Sequence, residues 1–286
     1  MTQPLFRKDL ATPPYGLFDV HANVGFSDRE DLSFGRLSGE DFLDLMETSG
    51  VARACVFPPL MARYRQANER LADWAATTDG RVLPFARLGG RRGPRPLRRS
   101  WQVRETLGAF FKRQPSDAVD LARYAGVKLI PHLSGLPSRG ILARISELRL
   151  PVLVHAGVPS PPAWIERALV DRLRGPVILA HLGAFPCDAV GLRAAVELAQ
   201  RHAHVYLDTS GAWMAGFITY AAEHVPEKLL FGSDAPLAHP LVAWHHVASV
   251  VRDEHILERI GRGNACEGFG WELDVRARTP ARIQPD

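Results

Sequence analysis

Four apolar runs in the second half of the chain each end on one side chain able to bind a metal, move a proton or hold an anion. PVLV runs into His155, VILA into His181, VYL into Asp208 and LLFGS into Asp234, at intervals of 26, 27 and 26 residues. A further 27 residues before His155 lies Lys128, inside GVKLI. Near the start, Asp19, His21 and Asn23 alternate with Phe18, Val20 and Ala22, so a strand there puts the three polar groups on one face. Neutral imidazoles and carboxylates are donors for zinc and related divalent ions, and they are also common general acids and bases. Burying them without partners is costly, so they must pair, hold an ion or serve a reaction.

A strand of four to six residues, a crossover helix and two short loops fill about the observed interval. The period therefore predicts consecutive βα units, each delivering a reactive side chain at the C-terminal end of a parallel strand. That end is where (β/α)8 barrels keep their active sites. Strands are expected at LFDVHANV (residues 17–24), ARACVF, RVLPFARL, GVKLI, PVLVHAG, PVILAHLG, VYLDTSG and KLLFGSDAPL. Helices alternate with them, the first capped by Ser38 and stopped by Gly50, the second over about 64–78. An irregular Arg-rich insertion, GGRRGPRPLRR, follows strand three. The alternation favours a single-domain (β/α)8 TIM barrel over residues 17–275, after an N-terminal arm (1–16) and before a weakly ordered tail (276–286). No GxGxxG turn supports a doubly wound open sheet.

The chain has 286 residues, 46% hydrophobic and 23% charged, enough for one large core. Its apolar runs are strand-length, so no membrane span is expected. The start MTQPLFRKDLATPPYG lacks an apolar signal core, and Cys55, Cys187 and Cys266 form no CxxC pair. Both features point to free thiols in a cytoplasmic protein. The formal charge of +4 is uneven: Arg87 to Arg113 carries nine basic residues and one acid, Glu105. Such a segment is either a solvated insertion or an attractor for an anionic substrate. Its aromatics, Trp101, Phe110 and Phe111, form no stacking platform, which argues against nucleic acid.

These residues carry a family resemblance. The chain resembles the amidohydrolase superfamily, and within it the amidohydrolase-2 branch of aminocarboxymuconate-semialdehyde decarboxylase, related non-oxidative decarboxylases and lactone hydrolases. The DxHxH pattern of strand one meets DVHAN at 19–23, the strand-five histidine meets VLVHAG, and the strand-six histidine meets ILAHLG. The strand-eight aspartate meets LLFGSDAP, and a closing G-N-A meets Gly263, Asn264 and Ala265. Each motif alone is weak; the ordered set, over about residues 17–270, is specific.

The resemblance implies one divalent metal ion, usually zinc with manganese as the other choice, held by His21, His155 and Asp234 with a water at the open position. Asp234 would also accept that water's proton, and His181 would orient or polarise the substrate carbonyl. Asp208 is expected to be structural or to orient another group. Lys128 stands where other branches carry a metal-bridging carboxylated lysine; in this branch it resembles a charged group near substrate. Asn23 replaces the family's second strand-one histidine, and an amide oxygen is a weak zinc ligand. Three consequences stay open: a weaker or altered metal site, a metal-free enzyme in which Asn23 contacts substrate, or a barrel that binds a ligand without catalysis.

Candidate substrate contacts are Arg87, a bidentate partner for a carboxylate, with Asn23, Lys128, His132, His239 and an apolar wall at Trp213. His245 and His246 are expected on a helix surface, and Cys187 lacks a base to activate it. The resulting expectation is a metal-dependent hydrolase whose activated water attacks a carbonyl carbon of an amide, lactone or related small molecule. The alternatives are a non-oxidative decarboxylase on the same residues and a metal-free lactonase or ligand-binding barrel. A homodimer is common in the family.

Overall fold

The computed structural model describes residues 13–25, 37–59, 64–89 and 119–271. Most of the Arg-rich insertion, the N-terminal arm to residue 12 and the tail from 272 lie outside the described residues.

Eight strands follow one another around a single parallel sheet in sequence order: β1 (Leu17–Asn23), β2 (Val51–Phe57), β3 (Val82–Leu88), β4 (Gly126–Leu129), β5 (Val152–Val154), β6 (Val177–Leu179), β7 (Val205–Asp208) and β8 (Leu229–Leu230). The last strand returns to the first. Val20 N donates to Phe231 O, Asn23 N to Ala235 O and Asp234 N to His21 O, at 2.9, 2.7 and 2.8 Å. These bonds close the sheet, so the architecture is the (β/α)8 TIM barrel expected from the period.

Around it run α1 (Gly39–Ser49), α2 (Tyr64–Ala75), α3 (Pro131–Ser134), α4 (Arg139–Glu147), α5 (Pro162–Ala168), α6 (Ala189–Arg201), α7 (Ala215–His224), α8 (Pro240–Val250), α9 (Glu254–Glu258) and α10 (Asn264–Phe269). Helix α1 has the expected ends: Ser38 Oγ accepts from Asp41 N at 3.1 Å, Asp41 accepts from Ser38 N at 3.3 Å, and Gly50 takes φ 71°. Helix α2 ends at Ala75, three residues before the expected Thr78. The hydroxyls of Thr77 and Thr78 donate to Trp74 O and Ala75 O, satisfying the terminal carbonyls locally.

Two apolar layers result. Alternate strand residues pack outward against the helices with Phe42, Met46, Leu71 and Trp244. The others fill the barrel: Cys55, Phe57, Phe85, Leu153, Ile178, Tyr206 and Leu230, with Trp271 against Phe18 and Phe85. Strand one departs from strict alternation. Phe18 and Val20, expected opposite the polar face, belong to the inner cluster, because the β1–β2 register shifts between Asp19 and Ala22. That irregularity lets one short strand place apolar groups inside the barrel and still raise His21 toward the mouth.

Candidate active site and metal centre

The seam between β8 and β1 builds the centre. Asp19 is wholly buried and does not reach the mouth; its carboxylate accepts from Ser233 N at 2.9 Å, Ser233 Oγ at 2.5 Å and His21 N at 3.1 Å. Burial pushes its pKa up to about 6, against the pull of these donors. This clamp fixes the GSD segment beside β1. Asp234 itself takes a left-handed backbone, φ 64°, which an aspartate tolerates better than most residues. Its Oδ1 then lies 3.3 Å from His21 Nε2.

Strand β6 ends with a second left-handed turn. His181 and Leu182 have φ 59° and 55°, and this bend aims the imidazole back into the barrel. His181 N donates to Asp208 Oδ1 at 2.9 Å and His181 Nδ1 to Ser210 O at 2.9 Å. His21 Nδ1 meets Asp208 Oδ2 at 2.8 Å. Asp208, at the end of β7, therefore touches both histidines. Burial alone would raise its pKa, but His21, His181 and Lys128 outweigh that and hold the carboxyl well below the usual range.

One ligand atom each from His21, His181 and Asp234 lie within 4.8 Å of one another. Two imidazoles and a carboxylate facing one point suit a divalent ion such as zinc or manganese, and the residues fit such a group. Of the three implied ligands, His21 and Asp234 belong to this compact set. His155 stands beside it, with Nδ1 3.1 Å from His181 Nε2. Its ring lies between His132 and Phe185, centroids 4.7 and 4.8 Å away. Its Nε2 is buried and has no hydrogen-bond partner among the described residues. Burial first, then His181 and Lys128, push the pKa of His155 far down, which favours the neutral ring. Burial brings His181 to about 4 as well.

Lys128 is buried, with Nζ 3.1 Å from His21 Nε2 and 4.6 Å above the Phe57 ring. Burial pulls its pKa down to about 7, against Asp208 and Asp234. Asn23, half-buried, spends its amide donor on Ala235 O at 3.2 Å and Asp234 Oδ1 at 3.4 Å. It therefore steadies the strand-eight carboxylate.

Arg87 is in register with Lys128 and buried. Asn68 clamps its backbone through both amide groups, at 2.9 and 3.0 Å. Its Nη1 donates to Pro58 O at 2.9 Å and its guanidinium lies over the Tyr64 ring. Nε and Nη2, the two donors of one guanidinium edge, are buried and have no hydrogen-bond acceptor within geometric range among the described residues, with Tyr64 the nearest polar neighbour, and His132 Nδ1 is likewise unpaired among them. Burial lowers the pKa of Arg87, while burial and then Arg87 bring His132 to about 4.

The other expected contacts lie farther out. Trp213 is 63% exposed on the loop after β7. His239 is exposed and caps α8, its Nδ1 accepting from Leu241 N at 3.2 Å. His245 and His246 are half-buried rather than on the surface, and His246 Nε2 donates to Ala212 O at 3.1 Å, tying α8 to the β7 loop. Cys187 is exposed and free. Sequence reasoning missed Ser210 and Ser233; the signal was a serine two residues after Asp208 and another just before Asp234.

Eight parallel strands bring two histidines, an aspartate and a buried lysine together at their C-terminal ends, the end at which barrel enzymes carry their active sites. The family model described as Amidohydrolase matches residues 18–271, and the chain belongs to this family, the amidohydrolase-2 branch. Solved structures share the fold. A probable 2-pyrone-4,6-dicarboxylic acid hydrolase from Acinetobacter baumannii with citric acid bound is 17% identical, TM-score 0.63, covering 90% of this chain and 100% of that one. The 5-carboxyvanillate decarboxylase of Sphingomonas paucimobilis is 18% identical, TM-score 0.59, covering 90% and 99%. A dihydroxybenzoic acid decarboxylase from Polaromonas, with bound manganese and the inhibitor 2-nitroresorcinol, is 16% identical, TM-score 0.59, covering 90% and 97%. No curated protein matches the sequence. Among the described residues, no helix is long and apolar enough to cross a membrane.

Proposed function

We propose that the chain is a metal-dependent hydrolase that attacks a carbonyl carbon of a small anionic molecule, a lactone, an amide or a related compound. The observation that carries this reading is the convergence of His21, His181 and Asp234 on one point at the barrel mouth. These three residues would hold one zinc or manganese ion, which when bound supplies Lewis acidity and acidifies a water. Asp234 accepts the proton of the attacking water. His155, neutral and paired with His181, presents its buried Nε2 to the substrate as an acceptor. The Nε/Nη2 edge of Arg87 binds a substrate carboxylate, with His132 beside it. Lys128 contributes a cation on the Nε2 side of His21, the side that faces Asp234, and Asn23 orients the Asp234 carboxylate. Trp213 and His239 would meet only the outer part of a larger substrate.

The decarboxylases among the similar structures favour a second reading, a non-oxidative decarboxylase of an aromatic or unsaturated acid on the same residues. Both readings are tested by metal analysis of the purified protein, followed by a screen of lactones, amides and aromatic acids before and after chelation. Ring opening or amide cleavage that chelation abolishes and added zinc or manganese restores supports the hydrolase. Carbon dioxide release from an acid, equally metal-dependent, selects the decarboxylase. Activity untouched by chelation, in a protein that binds no divalent ion, would instead point to a metal-free lactonase.

A further inference from the structure

An imidazole offers a lone pair at Nε2 only while its proton sits on Nδ1. At both histidines of the centre, the neighbours of Nδ1 determine where that proton is. His21 Nδ1 faces Asp208 Oδ2 at 2.8 Å, and His181 Nδ1 faces the Ser210 carbonyl oxygen at 2.9 Å. A carboxylate and a carbonyl only accept, so both Nδ1 atoms donate. The Ser210 hydroxyl gives its own proton to Asp208 Oδ1 at 2.5 Å and turns its lone pairs to His21 Nδ1 and His181 Nδ1, at 2.9 and 3.0 Å. The far ends of the rings agree with this assignment. Lys128 Nζ donates to His21 Nε2, and His155 Nδ1 to His181 Nε2, each at 3.1 Å.

We propose that Asp208 and Ser210 are the positioning pair of this centre: they hold His21 and His181 in the same tautomer, protonated at Nδ1, which leaves both Nε2 atoms as acceptors, that of His21 3.3 Å from Asp234 Oδ1. The purpose of those lone pairs rests on the reading in the preceding section; the position of the protons does not.

Asp208→Asn makes the inference sharp. Asp208 Oδ1 accepts from three donors, His181 N and Ser210 N at 2.9 and 3.0 Å and the Ser210 hydroxyl. An asparagine must keep its amide oxygen on that side, so its NH2 group faces His21 Nδ1. The His21 proton is then driven to Nε2, and the ring loses its inward lone pair while the shape of the site is kept. The experiment records long-range 15N–1H spectra of the metal-free protein and titrates it with zinc alone. Wild type is expected to show Nδ1–H at both rings. Asp208→Asn should move the His21 proton to Nε2, leave His181 unchanged and weaken zinc binding about 100-fold. Ser210→Ala, which removes no backbone acceptor, should keep both tautomers and weaken zinc binding about tenfold.

An Nε2–H at either ring of the wild type overturns the proposal, and so does a folded Asp208→Asn protein with His21 still protonated at Nδ1. If Asp208→Asn does not fold, the wild-type spectrum and the Ser210→Ala titration decide, and unchanged zinc affinity in Ser210→Ala sinks it. A protein with the expected tautomers and the expected switch, yet no affinity for zinc, sustains the positioning role and removes the metal reading instead.

Discussion

A guanidinium buried beside the candidate site with two donors unpaired among the described residues is expensive to keep, since each unsatisfied group costs about 1–3 kcal/mol. Arg87 sits in this condition while its backbone is clamped by Asn68 and its Nη1 by Pro58. A substrate carboxylate would satisfy both donors at once. Arg87→Lys keeps a charge but loses the fork, so KM for the true substrate should rise tenfold or more with kcat changed far less. Steady-state kinetics on the substrate found by the screen would check this, and an unchanged KM would place the carboxylate elsewhere. Spacing singled out His155, His181, Asp208 and Asp234, and period-two alternation singled out His21; the ligand roles of His21, His155 and Asp234 came from the family resemblance, and the compact group contains His181 where His155 was expected. Which ring nitrogen faces which neighbour was not legible. The pairing of His155 with His181 depends on rotamers and on a Phe185 ring that no linear pattern encodes.

At the scale of elements, the centre depends on strand ends that stop being strands. His181 and Asp234 both sit at positive φ, a conformation costing an ordinary residue about 1–2 kcal/mol. Tight packing behind them keeps these bends in place. A Cβ on Gly232 would lie 2.9 Å from His21 Cβ, 3.3 Å from Ser210 Cβ and 3.4 Å from Asp208 Cγ. Gly232→Ala should therefore destabilise the fold by about 1–3 kcal/mol through overpacking and also weaken metal binding by displacing His21. Thermal denaturation together with a zinc titration would test the pair of effects; a lower Tm with intact affinity would mean that the strain relaxes away from His21. The βα period made the strands legible because parallel strands buried on both faces read as short apolar runs. Element ends were less so. The register shift in β1 and the early stop of α2 arise from local hydrogen bonds that compete with the regular pattern.

For the whole molecule, the buried titratable groups couple stability to pH. His132 and His181 are held near 4, below the ordinary histidine value of about 6.5. Between those values the unfolded chain binds protons that the folded chain refuses, so stability rises with pH and is lost as pH falls from about 6.5 to 4. A buried histidine displaced this far contributes on the order of 3 kcal/mol at most. Asp19 works the other way: raised to about 6, it favours the fold on the acid side of that value. Three histidines, His155 among them, oppose one aspartate, and Asp208, held low, adds to the acid loss at still lower pH. Urea denaturation across pH 4–7 should give a falling midpoint toward acid, and His132→Gln should flatten that slope. A midpoint that is constant or rises toward acid would mean these rings are protonated in the folded protein.

The seam between β8 and β1 has a consequence for how the molecule comes into being. Asp19 and its partner Ser233 are 214 positions apart, and His21 and Asp234 meet across the same seam, in the segment that follows β8. During synthesis the first strand leaves the ribosome long before the last, as an unpaired edge carrying an unclamped carboxylate. Neither Asp19 nor His21 gains its strand-eight partner until β8 docks. Contacts of such separation form slowly and late. Ion affinity should thus appear in one step when the ring of strands completes, so unfinished chains would carry the histidines without being able to use them.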